Sequence, residues 1–187
     1  SQITVNNYEG TRMATRYLIS LGHRELMFLG GRDSSVTHRR RHQGFLAAAA
    51  AAANVHYDIF TILSGSKIED GYHTGLAYFT RCIEEKRPIA TGILCISDHF
   101  ALGVMQAAVE TGVDIPGQVS LIGFDDVSFA SLPKIQLTTI SQPKEEICVA
   151  AVRTLEELIA ADGPAPISCK TIEPVLVRRD TCGPPGR

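Results

Sequence analysis

The sequence predicts an α/β domain built on a doubly wound, mostly parallel sheet with helices on both faces. Two observations carry this expectation. Short apolar runs closed by turn residues alternate along the chain with longer stretches whose apolar residues recur at helical spacing. The runs are largely continuous in apolar residues rather than apolar at every second one, which is the pattern of strands covered on both faces. With 44% hydrophobic residues in a chain of 187, there is enough apolar material for one compact core.

The elements follow in order. Residues 10–21 carry Met13, Tyr17, Leu18 and Leu21 at helical spacing and stop at Gly22. Residues 26–29 (LMFL) form a buried strand that ends at Gly30-Gly31. A helix over residues 37–53 closes with seven consecutive alanines, the strongest helix formers. Residues 60–63 make a weaker strand. Helices over residues 70–85 and 98–110 flank the strand 92–96 (GILCI), and the strand 119–124 (VSLIGF) comes next. Pro143 suits the first turn of a helix reaching about residue 161. A short strand over residues 174–178 precedes a Gly/Pro tail that is expected to be disordered. With an opening strand, the order is β-α-β-α-β-α-β-α-β and then β-α-β, which implies right-handed crossovers.

Bulk properties exclude several classes. A formal net charge of −2 lacks the basic excess of a nucleic-acid-binding domain. No apolar run approaches the ~20 residues that span a bilayer, so no membrane contact is expected. The five cysteines, at 82, 95, 148, 169 and 182, are odd in number and contain no C-x-x-C pair. Reduced thiols in a cytoplasm fit that usage better than a disulfide scaffold. Most are expected as small core hydrophobes, with Cys182 in the loose tail.

Ligands of open parallel sheets bind beyond the carboxyl ends of the strands. That rule selects the loops after Leu29 and Leu63, the pair Ser97-Asp98, and the pair Asp125-Asp126. Arg39, Arg40 and Arg41 point ~100° apart on a helix, so only one shares the inward side of Phe45. That one is Arg41, a turn earlier, while Arg39 and Arg40 face water. Arg41 is either a fork of donors for ligand oxygens or part of a solvated basic patch. His38 and His42 have the spacing of metal ligands, but neighbouring cations and the lack of an intervening acid argue against zinc. Asp98 suits a helix N-cap, and Ser97 can offer a hydroxyl to a ligand at the same helix start. Asp125-Asp126 are open to four uses: acid/base pair, metal site, sugar-hydroxyl acceptor, or a turn or local cap. No G-x-S-x-G, P-loop or G-x-G-x-x-G accompanies them, so no enzyme, cofactor or metal is expected.

The segments VNNYEGTRMATRYLISLGHRELMFLGG, RHQGF, SDHFALGVMQAAVETGVDIPGQVSLIGFDD, LPKIQLTTISQP and VLVRRDT together resemble the LacI/GalR family of bacterial transcription repressors. The resemblance covers nearly the whole chain. It implies a periplasmic-binding-protein-like C-terminal lobe, with the helix-turn-helix head and most of the N-terminal lobe absent. Residues 1–5 would end an N-terminal-lobe strand, and residues 6–139 would form the C-terminal lobe. Residues 140–170 would cross into the N-terminal lobe as a helix, residues 171–180 would return as a strand, and residues 181–187 would be the disordered tail. The implied effector residues are Arg41, Asp125, Ser97, Thr37, Gln142, Ser66 and Asn6. The implied partners are a small polar effector (sugar, sugar acid or nucleoside-like) and a second copy of the chain. Operator DNA would be bound only through the missing head. Leu102, Phe129 and Leu132 would face the second copy. Many sugar-binding members have asparagine where Ser97 stands, and an aromatic near Ser66. Both departures point away from a simple hexose and leave open a smaller, more polar or acidic ligand, with Arg41 as its counter-charge. A periplasmic sugar-binding protein of a transport system is the alternative.

Overall fold

The computed structural model describes residues 1–32, 34–60, 65–160 and 168–186. The elements are β1 (Gln2–Val5), α1 (Asn7–Ser20), β2 (Glu25–Leu29), α2 (Val36–Ala50), β3 (His56–Phe60), α3 (Ile68–Glu84) and β4 (Gly92–Cys95). There follow α4 (Asp98–Thr111), β5 (Ser120–Asp125), a single 3-10 turn (Ser128–Ser131), β6 (Thr138–Ser141), α5 (Lys144–Ala160), β7 (Cys169–Ile172) and β8 (Val175–Val177). The main sheet has the order β3-β2-β4-β5-β6-β8 and is parallel except for the antiparallel edge strand β8. The chain winds outward from β2 to β3, then crosses back to β4, so the order reverses between β2 and β4. Such a switch point opens a crevice at the carboxyl ends of the strands.

The apolar runs do become the buried strands. Leu26, Phe28, Leu29, Ile93, Leu94, Leu121, Ile122 and Phe124 are at most 2% exposed. Helix α1 packs on α2, and α3 on α4, one pair to each face of the sheet. Phe45 of α2, Phe79 of α3 and Phe100 of α4 are fully buried and close the two layers over the strands.

Four expectations need correction. The weak strand lies earlier, at His56–Phe60, pairing with β2, and residues 61–63 fall outside the described residues. The return segment is two strands. Cys169–Ile172 pairs with β1 in a separate two-stranded sheet, and only Val175–Val177 joins β6, so residues 171 and 172 do not belong to the return. The short run CKTI, polar on two of four positions, gave no apolar signal for β7.

The tail is docked rather than disordered up to residue 186. Thr181 is 3% exposed, its hydroxyl donates to the Leu121 carbonyl at 2.7 Å, and the Thr138 N–H donates to that hydroxyl at 2.9 Å. Cys182 is half-buried against β5 and donates to the same Leu121 carbonyl. Glycine and proline composition misled because a tail can be ordered by what it is bonded to. Finally, Cys82 and Cys95 are core residues, but Cys148 and Cys169 are exposed. They lie on α5 and β7, outside the main core.

One buried histidine ties the tail to the sheet. His23 is 1% exposed, and its Nε2 lies 2.9 Å from both the Ser120 hydroxyl and the Gly183 carbonyl. A carbonyl only accepts, so Nε2 carries the ring proton and Nδ1 accepts from the Thr91 hydroxyl at 3.0 Å. Burial first, and Arg24 to a smaller extent, lower its pKa from the ordinary 6.5, against the Gly183 bond, which raises it. A lowered histidine pKa means that the unfolded chain takes the proton first. Stability is therefore complete above about pH 6.5 and declines as pH falls through the window below it. Melting temperature measured from about pH 8 to about pH 5 should drop in that window, and His23→Gln should flatten the drop.

Candidate functional site

Arg41 is the centre of the crevice. Ser35 caps α2, its hydroxyl accepting the His38 N–H, and the helix carries Arg41 inward to 5% exposure. The guanidinium lies 3.6 Å above the Phe124 ring. Its Nε donates to Asn7 Oδ1 at 2.9 Å, Nη1 to the Ile96 carbonyl, and Nη2 to Asp125 Oδ1 at 3.2 Å. Burial works against the Arg41 charge, and the Asp125 carboxylate works for it. An arginine keeps its proton in either case. Of the two readings open for Arg41, the solvated patch is thus replaced by a buried, fully oriented cation. Arg39 and Arg40 are exposed.

Asp125 ends β5 with its side chain about a quarter exposed. Its Oδ1 also accepts from Gln142 Nε2, on the segment leading into α5. Thr37, Arg41, Asn7 and Gln142 share a cavity of about 340 Å³. A neighbouring cavity of about 590 Å³ is lined by Thr37, Asn6, Asn7 and Arg40 on the side of β1.

The structure thus brings Arg41, Asp125, Thr37 and Gln142 together, with Asn6 at the rim. Asn6 is already engaged: its Oδ1 caps α1 by accepting the Glu9 N–H, and its Nδ2 donates to Glu173. Ser97 is buried beneath the crevice. Its hydroxyl accepts the Phe100 N–H and donates to the Ser66 carbonyl at 3.1 Å, which also fixes Ser66. Ser97, not Asp98, is therefore the N-cap of α4. Asp98 is the first helical residue and is fully buried, accepting from the Thr139 hydroxyl and from the Val127 N–H. Burial raises its carboxyl pKa, and the hydrogen bonds oppose that rise.

His38 and His42 hold the loop after β2. His38 Nδ1 accepts the Arg32 N–H at 3.0 Å, and His42 Nε2 sits 2.9 Å from the Gly30 carbonyl. Burial, then Arg41, His42 and Arg32, keep His38 below its ordinary pKa. Both Gly30 and Gly31 have positive φ, and a side chain on either would strike Phe100 or His42.

Sequence reasoning missed Asn7 as the residue that orients Arg41. It also missed Phe124 as the ring beneath it, and Asp98, Lys144 and Arg179 around Asp125. Phe124 and Asn7 were visible as neighbours of motif residues. Nothing in the spacing marked Arg179.

Residues 15–182 match the family model described as periplasmic binding protein-like domain. The chain belongs to this family, as a LacI/GalR-type effector-binding domain. It is 34% identical over 174 residues to the HTH-type transcriptional repressor PurR of Yersinia enterocolitica, covering 93% of this chain and 49% of that protein. The chain therefore spans about half the length of that relative. Among solved structures it resembles a LacI-family transcriptional regulatory protein of Corynebacterium glutamicum, with 29% identity and TM-score 0.84, over 97% of this chain and 67% of that one. It also resembles a periplasmic binding protein/LacI transcriptional regulator of Alkaliphilus metalliredigens complexed with D-xylulofuranose. That likeness has 28% identity and TM-score 0.80, over 96% of this chain and 65% of that one. The LacI/GalR fold thus accounts for the sheet order, and the crevice of this domain is where Arg41 and Asp125 meet. Among the described residues, no helix is long and apolar enough to cross a membrane.

Proposed function

We propose that this chain senses a small, neutral, hydroxyl-rich effector for a LacI-type repressor whose DNA-binding part lies outside it. The observation that carries the ligand class is the pairing of Arg41. Its charge already has a partner in Asp125, and Asn7 and Ile96 take two further donors. An acidic ligand would have to displace Asp125, which argues against the open alternative of Arg41 as its counter-charge. Among the described residues, the crevice offers a ligand further acceptors: the second oxygen of Asp125, the Gln142 carbonyl and the Thr37 hydroxyl. Such a set selects hydroxyl donors. The furanose sugar in the Alkaliphilus regulator has that character.

Residues 1–5 and 142–172 would belong to a second lobe whose remainder is not in this sequence, since β7 pairs with β1 while β6 ends at Ser141 in the main sheet. Helix α5 supports this, since Val149, Val152, Leu155 and Ile159 are all at least half exposed. Asp125 then joins two lobes, through Arg41 on one side and Gln142 on the crossing segment. A ligand held there would favour one closure angle by its differential affinity and so shift the fraction of DNA-competent protein. Leu132 is 51% exposed, and Leu102 and Phe129 are half-buried; with them this surface would face a second copy.

Calorimetry of the full-length protein against D-xylulose and D-ribose, with the matching sugar acids as comparison, tests the reading. Neutral pentoses should bind and the acids should not. Asp125→Asn should weaken pentose binding about tenfold to a hundredfold, as expected for a lost hydrogen bond to a charged acceptor. Tighter binding of an acid than of its neutral sugar would refute the ligand class.

A further inference from the structure

We propose that Arg179 is a positioning residue for the effector site, holding the Asp125 carboxylate in place through Asp126. The inference rests on the reading of Asp125 as an effector contact, and it adds residues that lie outside the crevice.

The turn that presents Asp125 is unfavourable on its own. Asp125 has φ of 118° and Asp126 has φ of 49°, two consecutive non-glycine residues in positive-φ backbone. Such conformations persist only where the surroundings over-determine them. Here each residue of the turn has its own tether. Asp125 is bonded to Arg41 and Gln142. Asp126 pairs with Arg179 Nη2 at 2.6 Å, and its carbonyl accepts from Lys144 Nζ at 2.7 Å. The Val127 N–H donates at 2.9 Å to buried Asp98.

Arg179 is the tether best fixed from behind. Its Nη1 donates to the Leu137 carbonyl at 2.7 Å, and its N–H donates to the Thr138 hydroxyl at 2.9 Å. The Thr138 hydroxyl in turn donates to the Arg179 carbonyl at 3.2 Å. Both partners of the ion pair are largely buried, with side-chain exposures of 14% for Arg179 and 22% for Asp126. Strand β8 thereby delivers a rigid donor fork to the end of β5, across β6. Release of Asp126 would let the turn relax toward negative φ and swing the Asp125 carboxylate away from Arg41.

Hydrogen exchange and arginine side-chain NMR on the full-length protein test this without any ligand. In Arg179→Met the amides of residues 124–128 should exchange about tenfold faster. The Arg41 Nε–H resonance should move as its partner Asp125 shifts. Asp126→Asn should do the same, and Arg179→Lys should restore part of the protection. Arg178→Met is the control, since Arg178 stacks on Tyr17 at 4.7 Å and leaves the turn alone. Two results overturn the proposal. One is an unchanged turn and Arg41 signal; the other is faster exchange spread evenly over β2, β4 and β5, the mark of general destabilisation. If Arg179→Met does not fold, Asp126→Asn decides by the same criteria. Failure of the pentose titration would leave these exchange results standing, so the two readings fail separately.

Discussion

Arg41→Met is expected to lower stability by about 3 kcal/mol and to abolish pentose binding, because one buried side chain holds three partners at the crevice. Methionine fills a similar volume over Phe124 but donates nothing. The Ile96 carbonyl then loses its Nη1 donor, and the Asn7 amide oxygen loses the Nε bond. Asp125 is left near Asp98 and Asp126 without a cation of its own, and Asp125 and Asp126 already act on Asp98 to raise its pKa. Removing one partner of a buried pair costs ~3–5 kcal/mol. The lower end applies here because Asp125 keeps about a quarter of its side chain in water. Urea denaturation reads the loss as a lower midpoint at unchanged slope. Arg41→Lys should recover little, since a single ammonium cannot reach Asn7, Ile96 and Asp125 at once. A midpoint within error of the parent, or retained pentose binding, would show that Arg41 is not the organising group of the crevice.

The centre of the main sheet was legible because LMFL, GILCI and VSLIGF carry apolar residues on both faces, whereas β3 (HYDIF) and β6 (TTIS) have no such run. Arg41 was legible for the same kind of reason, since a helix places the residue before Phe45 by one turn on the inward side. Long-range polar geometry was not. Nothing local to Asp98 says that its carboxylate reaches Val127 and Thr139 rather than its own helix end. Nothing in RRD says that Arg179 meets Asp126, because strand β8 is placed by a crossing through α5 and β7. The docked tail belongs with these. Its order comes from His23, Ser120 and Leu121, residues far away in sequence. Composition reports what a segment does when alone, and contacts at long sequence separation decide otherwise.

Gly103→Ala and Gly71→Ala are each expected to destabilise by ~3 kcal/mol or more, against the ~1 kcal/mol that alanine ordinarily gains over glycine in a helix. The reason is the crossing of α3 and α4, which make the most extensive helix contact among the described elements. A Cβ on Gly71 would lie 2.9 Å from the Phe100 Cα and still closer to its carbonyl. One on Gly103 would press on the Ile68 carbonyl and lie 2.9 Å from the Gly71 carbonyl carbon. Carbon contacts are comfortable at ~3.5–4.0 Å, and both obstacles are backbone, so the helices must separate rather than a side chain rotate. Gly112 is the contrast. It ends α4 at φ 73°, and a Cβ there would meet nothing within 4 Å, so Gly112→Ala should cost only about 1 kcal/mol. In thermal melts, where ~1 kcal/mol moves a domain of this size by roughly 2–4 °C, the first two substitutions should fall well below the third. Equal melting temperatures for Gly103→Ala and Gly112→Ala would mean that the crossing yields easily. The consequence reaches the crevice, because Phe100 belongs to the first turn of α4. That turn also holds Ser97 under Ser66 and Asp98 under Val127. Moving α4 off α3 would therefore pull one of the tethers from the Asp125 turn, and the loss of stability should come with a loss of ligand binding.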